Sequence, residues 1–176
     1  MKNVCENDEI IVDVHNDLGS DSTSIHWHGI HQIGTQYMDG VSLLTQCPIT
    51  QQNTFRADGL FGALIVRSRH DPHKHLYDVD DAAYTMLVMD WLEVLGIAKY
   101  VSHHHDDSDA EPYNILINGM GKFRPLQKGT KSALAPLYEY RVKYGLRYRF
   151  RVISNGLEAC PIEISVQGHT LLLIRW

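Results

Sequence analysis

Along most of the chain apolar residues recur at every second position in short runs, the pattern of strands with one buried face. Ile10, Val12 and Val14 alternate with Ile11, Asp13 and His15, and Ser24–His28 continues in the same style. Leu60–Arg67 is a short apolar run that reads as a core strand. Tyr84–Leu92 is another β-rich run, with Met86, Val88 and Asp90 on one face, and a helical turn is open at Trp91–Ala98. Asp39-Gly40 and Asp58-Gly59 are turn signals. After the polar stretch 102–112 the pattern restarts at Tyr113–Asn118, Leu137–Lys143, Tyr148–Ser154 and Ile162–Val166, then Gly168-His169 and a last apolar run, Leu171–Ile174. Short strands joined by Gly-containing turns predict an all-β protein of β-sandwich architecture. The composition break near residues 100–112 separates two β-rich segments, and the second, of about 65 residues, is short for an independent sandwich.

Composition narrows the function more than the fold. The 176 residues are 44% hydrophobic and 21% charged, the balance of a chain that buries a core. A net charge of −5 offers no electrostatic footprint for nucleic acid. Lys143, Arg147, Arg149 and Arg151 read as the exposed face of a strand rather than an anion site. No apolar run approaches the ~20 residues of a membrane-spanning helix. The first residues lack the apolar core of a signal peptide, so either the protein is not exported or the chain begins after its natural start. Cys5, Cys47 and Cys160 are odd in number and none lies in a Cys-x-x-Cys pair, which argues against a zinc ribbon or a thioredoxin-like site. Gly-x-Ser-x-Gly, a phosphate-binding Gly loop and His-Glu-x-x-His are all absent.

The candidate chemistry lies in the histidines. His26 and His28 are two apart in a strand-like run, so both imidazoles leave one face and offer two neutral nitrogen ligands. His31 has the opposite parity and reads as a solvated side chain. His103-His104-His105-Asp106-Asp107 can chelate Cu, Ni or Zn, but a flexible loop loses entropy in doing so, and its binding reads as adventitious. His70, His73 and His75 flank a Pro in a surface loop, and His169 sits in Gly-His-Thr; neither group reads as ligating.

The stretch Ser22–Pro48, which contains His-Trp-His-Gly-Ile-His and Met-Asp-Gly, resembles the first copper-binding motif of laccases and related multicopper oxidases. Val4-Cys-Glu-Asn-Asp8 and this block resemble the first cupredoxin domain of an arthropod-type laccase. Arg56-Ala-Asp-Gly-Leu-Phe-Gly-Ala-Leu-Ile-Val66 resembles the end of the second copper block. His75-Leu-Tyr-Asp, Met89-Asp-Trp91 and Asn114-Ile-Leu-Ile-Asn-Gly-Met-Gly121 resemble the passage into the second domain, and Arg147–Arg151, Cys160-Pro161 and Gly168-His169-Thr170 its early strands. The resemblance implies a cupredoxin-like Greek-key sandwich over 1–100, a polar His/Asp-rich loop over 101–112, and the start of a second such domain over 113–176. It implies copper as cofactor, with His26 as a type 2 copper ligand, His28 as a type 3 ligand and Asp39 as the carboxylate that relays protons beside the type 2 ion. It also implies an extracellular protein, with phenolic donors and oxygen as the partners of full-length relatives.

The chain departs from that pattern. Relatives carry His-x-x-His-x-His-Thr-Gly before the next Asp-Gly, whereas Gln51-Gln-Asn-Thr-Phe55 runs straight into Arg56-Ala-Asp-Gly59. The type 1 copper site and remaining cluster ligands belong to a third domain in relatives, and Cys160 is followed by Pro161 rather than His. The loss of a strand with the missing motif should leave an open edge, so the expectation is a marginally stable chain that binds copper weakly and does not turn over. Three readings follow: a laccase-type oxidase by family, a non-catalytic copper-binding fragment, or a metal-independent cupredoxin-like interaction module.

Overall fold

Strands follow one another as β1 (Lys2–Cys5), β2 (Leu64–Arg67), β3 (Thr85–Trp91), β4 (Asn114–Ile117) and β5 (Arg151–Ser154), with 3-10 turns at Gln36–Met38, Lys74–Leu76 and Ala82–Tyr84. They belong to a computed structural model that describes residues 2–17, 22–41, 43–45, 47, 49, 59–92, 94–96, 98, 112, 114–121, 136–156 and 161–174. No helix among these residues is long and apolar enough to cross a membrane.

One unit comprises Met1–Glu9 with Phe61–Trp176. In it β1 runs parallel to β2, with Lys2 opposite Leu64 and Cys5 opposite Arg67. A second sheet has the order β4-β3-β5, in which β4 is antiparallel and β5 parallel to β3. β3 is flanked on both edges, and its sequence Thr-Met-Leu-Val-Met-Asp-Trp suits a strand buried on both faces. Val88 and Met89 are almost wholly buried, together with Ala63, Ile65 and Tyr77. The expectation of one buried face on β3 therefore understates its burial.

β4 leads into a two-residue turn at Asn118-Gly119, where φ is +50° and +79°. Ile117 and Met120 exchange N–H···O=C bonds of 2.8 and 3.0 Å across it. Those are the marks of a type I′ turn, which Asn-Gly adopts with least strain. The Asn118 side chain then satisfies the backbone of β3: its Oδ1 accepts from Leu87 N–H at 2.8 Å, and its Nδ2 donates to the Thr85 carbonyl at 3.0 Å.

Three expectations need correction. Residues 137–143 form no ladder, because tyrosine hydroxyls take up the backbone groups a neighbouring strand would use. Tyr84 donates its hydroxyl to the Arg141 carbonyl, and Lys143 N–H donates to the Tyr148 hydroxyl. Residues 162–166 likewise form no ladder. Arg149 and Arg151 are not a solvated face: both are largely buried and ion-paired, to Asp71 and Asp80 respectively. Arg147, which is exposed, pairs with Asp78 at 2.8 Å.

The other unit is Ile10–Leu60. Val12 and Val14 are partly covered while Ile11, Asp13 and His15 are exposed, so the period-two pattern survives without an assigned strand. Among its described residues only Ser22 and Gly40 are buried, whereas Ile11, Ile33, Leu43 and Leu44 are more than 80% exposed. Ser24–His28 is not a regular strand either. Gly29 turns the chain at φ +86°, and Ile30 N–H bonds the Trp27 carbonyl at 3.1 Å.

Candidate metal centre

The run that carries His26 is tied down just before it. Thr23 and Ile49 form an antiparallel bridge, and Asn16 Nδ2 donates to the Ile49 carbonyl at 3.0 Å. Asp39 is positioned by the 3-10 turn Gln36–Met38, whose last bond runs from Asp39 N–H to the Gln36 carbonyl at 3.1 Å. On its other side Val41 N–H donates to Thr45 Oγ1 at 2.9 Å, and Thr45 N–H returns to the Val41 carbonyl at 2.9 Å. Asp39-Gly40 is therefore clamped between two tight turns.

Gly40 brings these segments together. It is buried, with φ +82°, and an added Cβ would lie 1.9 Å from the Ile25 carbonyl oxygen. Only a residue without a side chain permits that approach. The Asp39 carbonyl oxygen then lies 2.8 Å from His26 Nδ1, and Asp39 Oδ1 lies 3.4 Å from the same nitrogen. A carbonyl can only accept, so Nδ1 donates, and Nε2 of the neutral ring keeps its lone pair. This is the arrangement by which an outer hydrogen bond fixes the orientation and tautomer of a ligating histidine.

His26 and His28 are brought together, with ring centroids 5.6 Å apart and planes at 74°. Both are exposed enough to meet an ion from solvent, the His26 side chain at 48%. Metal–nitrogen bonds of about 2 Å put two imidazoles on one ion at similar ring separations, and imidazole nitrogen suits copper. The donor set thus fits copper as a two-histidine half-site. Among the described residues no group of three or more His, Cys, Asp or Glu side chains converges to hold a metal ion.

His31 is exposed, and His169 Nδ1 bonds its own loop at the Gln167 carbonyl, 2.9 Å away. Cys5 and Cys47 are exposed free thiols. Cys160, His103–His105 and Asp58 lie outside the described residues. What sequence reasoning missed is the approach of Gly40 to Ile25; the Asp-Gly dipeptide signals a turn but not which backbone it meets. It also missed an ion-pair cluster. Asp71 accepts from the Tyr77 hydroxyl at 2.7 Å and from His73 N–H at 2.8 Å, and pairs with Arg149. The Tyr77 hydroxyl, the His73 amide and Arg149 hold the Asp71 carboxyl down at about 2 against the opposing effect of burial. Burial and the neighbouring Asp71 push the Tyr77 hydroxyl up in turn.

Comparison with known proteins identifies the surroundings of this half-site. Residues 2–57 and, separately, residues 82–176 match families described as multicopper oxidase. The chain is 33% identical over 177 residues to Laccase-2 of Thanatephorus cucumeris, covering 88% of this chain and 29% of that protein. It is 35% identical over 176 residues to Laccase-1 of Pleurotus ostreatus, covering 88% and 31%. The chain thus spans under about a third of the length of these curated relatives. A solved structure of a mutant laccase from B. aclada superposes with a TM-score of 0.63 at 28% identity, covering 80% of this chain and 29% of that one. The fold is accordingly all-β and cupredoxin-like. These relatives are fungal, which corrects the expected likeness to the arthropod-type branch.

Proposed function

The chain belongs to the multicopper oxidase family, and from that premise we propose that it is the copper-binding portion of a laccase-type oxidase, with His26 as a type 2 copper ligand, His28 as a type 3 ligand and Asp39 as the proton-relaying carboxylate. The observation that carries this reading is the 2.8 Å bond between His26 Nδ1 and the Asp39 carbonyl, which leaves Nε2 as the bare donor beside His28. When bound, copper supplies the one-electron redox chemistry that couples oxidation of a phenolic donor to reduction of oxygen to water.

The chain's own residues have narrower tasks. His26 and His28 bind and orient through imidazole nitrogen. The Asp39 carboxylate, 29% exposed and beside His26, would exchange protons between solvent and the site while the His26 Nδ1 proton stays bonded to the Asp39 carbonyl. The chain alone is proposed to bind copper without turnover. Two observations support this: no third ligand converges among the described residues, and Gln51–Gly59 has no histidine where relatives carry several.

Copper(II) titration followed by electron paramagnetic resonance tests the reading, in a chain whose His103, His104 and His105 are replaced by Ala to remove the loop chelator. The expected result is imidazole-nitrogen coupling that disappears in His26→Ala and His28→Ala, with no oxygen uptake on a phenolic donor. Binding indifferent to both substitutions would favour a metal-independent interaction module, and oxygen uptake would refute the inactivity.

A further inference from the structure

We infer that Gly40 is the positioning residue of the His26 site: its left-handed backbone delivers the Asp39 carbonyl to Nδ1 and so leaves Nε2 as the nitrogen free to ligate. The last clause rests on the reading of His26 as a ligand; the placement of the proton is a property of the metal-free chain.

An unconstrained neutral histidine favours the proton on Nε2, the nitrogen that this ring, with Nδ1 against the Asp39 carbonyl, must keep bare to ligate. The site therefore needs an acceptor held at Nδ1, and the acceptor present is a main-chain carbonyl rather than the nearer-seeming carboxylate. The carbonyl lies at hydrogen-bonding distance, 2.8 Å, while Asp39 Oδ1 at 3.4 Å is too far for a strong bond. Gly40 follows that carbonyl directly and is tightly enclosed. An added Cβ would meet Ile25 O at 1.9 Å, Ile25 C at 2.4 Å and His26 N at 2.7 Å. All three atoms are backbone, so no side-chain rotation relieves the clash. Room for a methyl group comes only from parting residues 39–40 from residues 25–26, the two segments the bond connects. Gly34 provides the control: its φ is +75°, but nothing lies within 4 Å of its would-be Cβ. Alanine there carries left-handed strain without the separation.

The test is long-range proton–nitrogen correlation NMR on the metal-free chain labelled with ¹⁵N-histidine, with His26 assigned from His26→Ala. The wild type should show Nδ1 protonated and Nε2 bare. Gly34→Ala and Asp39→Asn should keep that pattern, since both retain the carbonyl in place. Gly40→Ala should move the proton toward Nε2 and weaken copper(II) binding by about 10–100-fold, the usual effect of losing an outer partner of a metal ligand. A wild-type proton on Nε2 overturns the inference, as does an unchanged tautomer in folded Gly40→Ala. A proton that moves in Asp39→Asn overturns it too, by assigning the role to the carboxylate. Should Gly40→Ala fail to fold, Gly40→Asn takes its place, since asparagine tolerates the left-handed backbone yet carries the same Cβ, and the same movement of the proton is expected. Copper affinity indifferent to His26 would refute the ligand reading while leaving the tautomer result in force.

Discussion

Asp80 and Arg151 meet in a two-pronged ion pair, Arg151 Nη1 donating to Oδ1 and Nη2 to Oδ2, the latter at 3.0 Å. Arg67 of β2 donates to the same carboxylate at 3.0 Å, and Arg149 lies 3.7 Å from it. One aspartate thereby links the last residue of β2 to the first of β5. The Asp80 side chain is only 11% exposed, so its removal strands charged guanidiniums in a partly dry setting. Asp80→Ala should cost about 2–4 kcal/mol by urea unfolding, somewhat under the ~3–5 kcal/mol of fully buried pairs. Arg147→Ala, which breaks an exposed pair with Asp78, should leave the unfolding midpoint nearly unchanged.

The same cluster makes stability depend on acid. Asp71 is held at about 2 against an ordinary 3.8, chiefly by the Tyr77 hydroxyl; the exposed Asp78 is held there too, chiefly by Arg147, but solvent screening leaves little of that as stability. Burial alone would raise Asp80, but Arg151, Arg67 and Arg149 outweigh it and hold it down. A carboxylate depressed by folding stabilises the fold fully above its unfolded value and loses that contribution as pH falls through the folded one. Thermal midpoints should therefore be insensitive to these groups above pH 5 and fall between about pH 4 and 2. Asp80→Asn should flatten that fall.

The Asn118 side chain ties the turn after β4 to the backbone of β3 and to Tyr140. It accepts from Leu87 N–H and donates to the Thr85 carbonyl and to the Tyr140 hydroxyl at 3.0 Å. Asn118→Ala should destabilise by about 1–3 kcal/mol, because Leu87 N–H loses this acceptor and the Thr85 carbonyl keeps only the Tyr140 hydroxyl, at 3.1 Å. Gly119→Ala should cost about 1 kcal/mol from left-handed strain alone, since nothing lies near its would-be Cβ. Chemical denaturation of both variants separates the two effects.

Hydrogen exchange should divide the chain. The buried apolar side chains Ala63, Ile65, Tyr77, Val88 and Met89 all lie in the unit containing the sheets. Amides of Val88 and Met89 should exchange slowest, at the free energy of global unfolding. Amides of Ile10–Leu60 should exchange by smaller openings, since its described residues contain no fully buried large apolar side chain. Equal protection in both units would refute this.

The sequence made the core strands legible where the signal was local. Leu64–Arg67 and Thr85–Trp91 announce themselves by apolar and β-branched runs, and His26 and His28 by spacing and context. Arg149 and Arg151 were not legible as buried. Alternating arginines look solvated unless their partners are known, and Asp71 and Asp80 lie more than 70 residues earlier in a stretch that reads as surface loop. Gly40 was half-legible: Asp-Gly marks a turn, but the Ile25 carbonyl it packs against is a tertiary fact. Residues 137–143 carried a genuine strand pattern that tyrosine hydroxyls overrode.

The pairing of β3 with β5 sets a clock on synthesis. Thr85 has its partner at Arg151, and Asp71 and Asp78 find their arginines only at Arg149 and Arg147, while Asp80 has Arg67 but waits for Arg151. A nascent chain that has emerged from the ribosome as far as residue 120 can close the β3–β4 hairpin, yet it still carries one bare sheet edge and two carboxylates, Asp71 and Asp78, without their arginines. Like charge on two such chains disfavours their pairing until the arginines emerge.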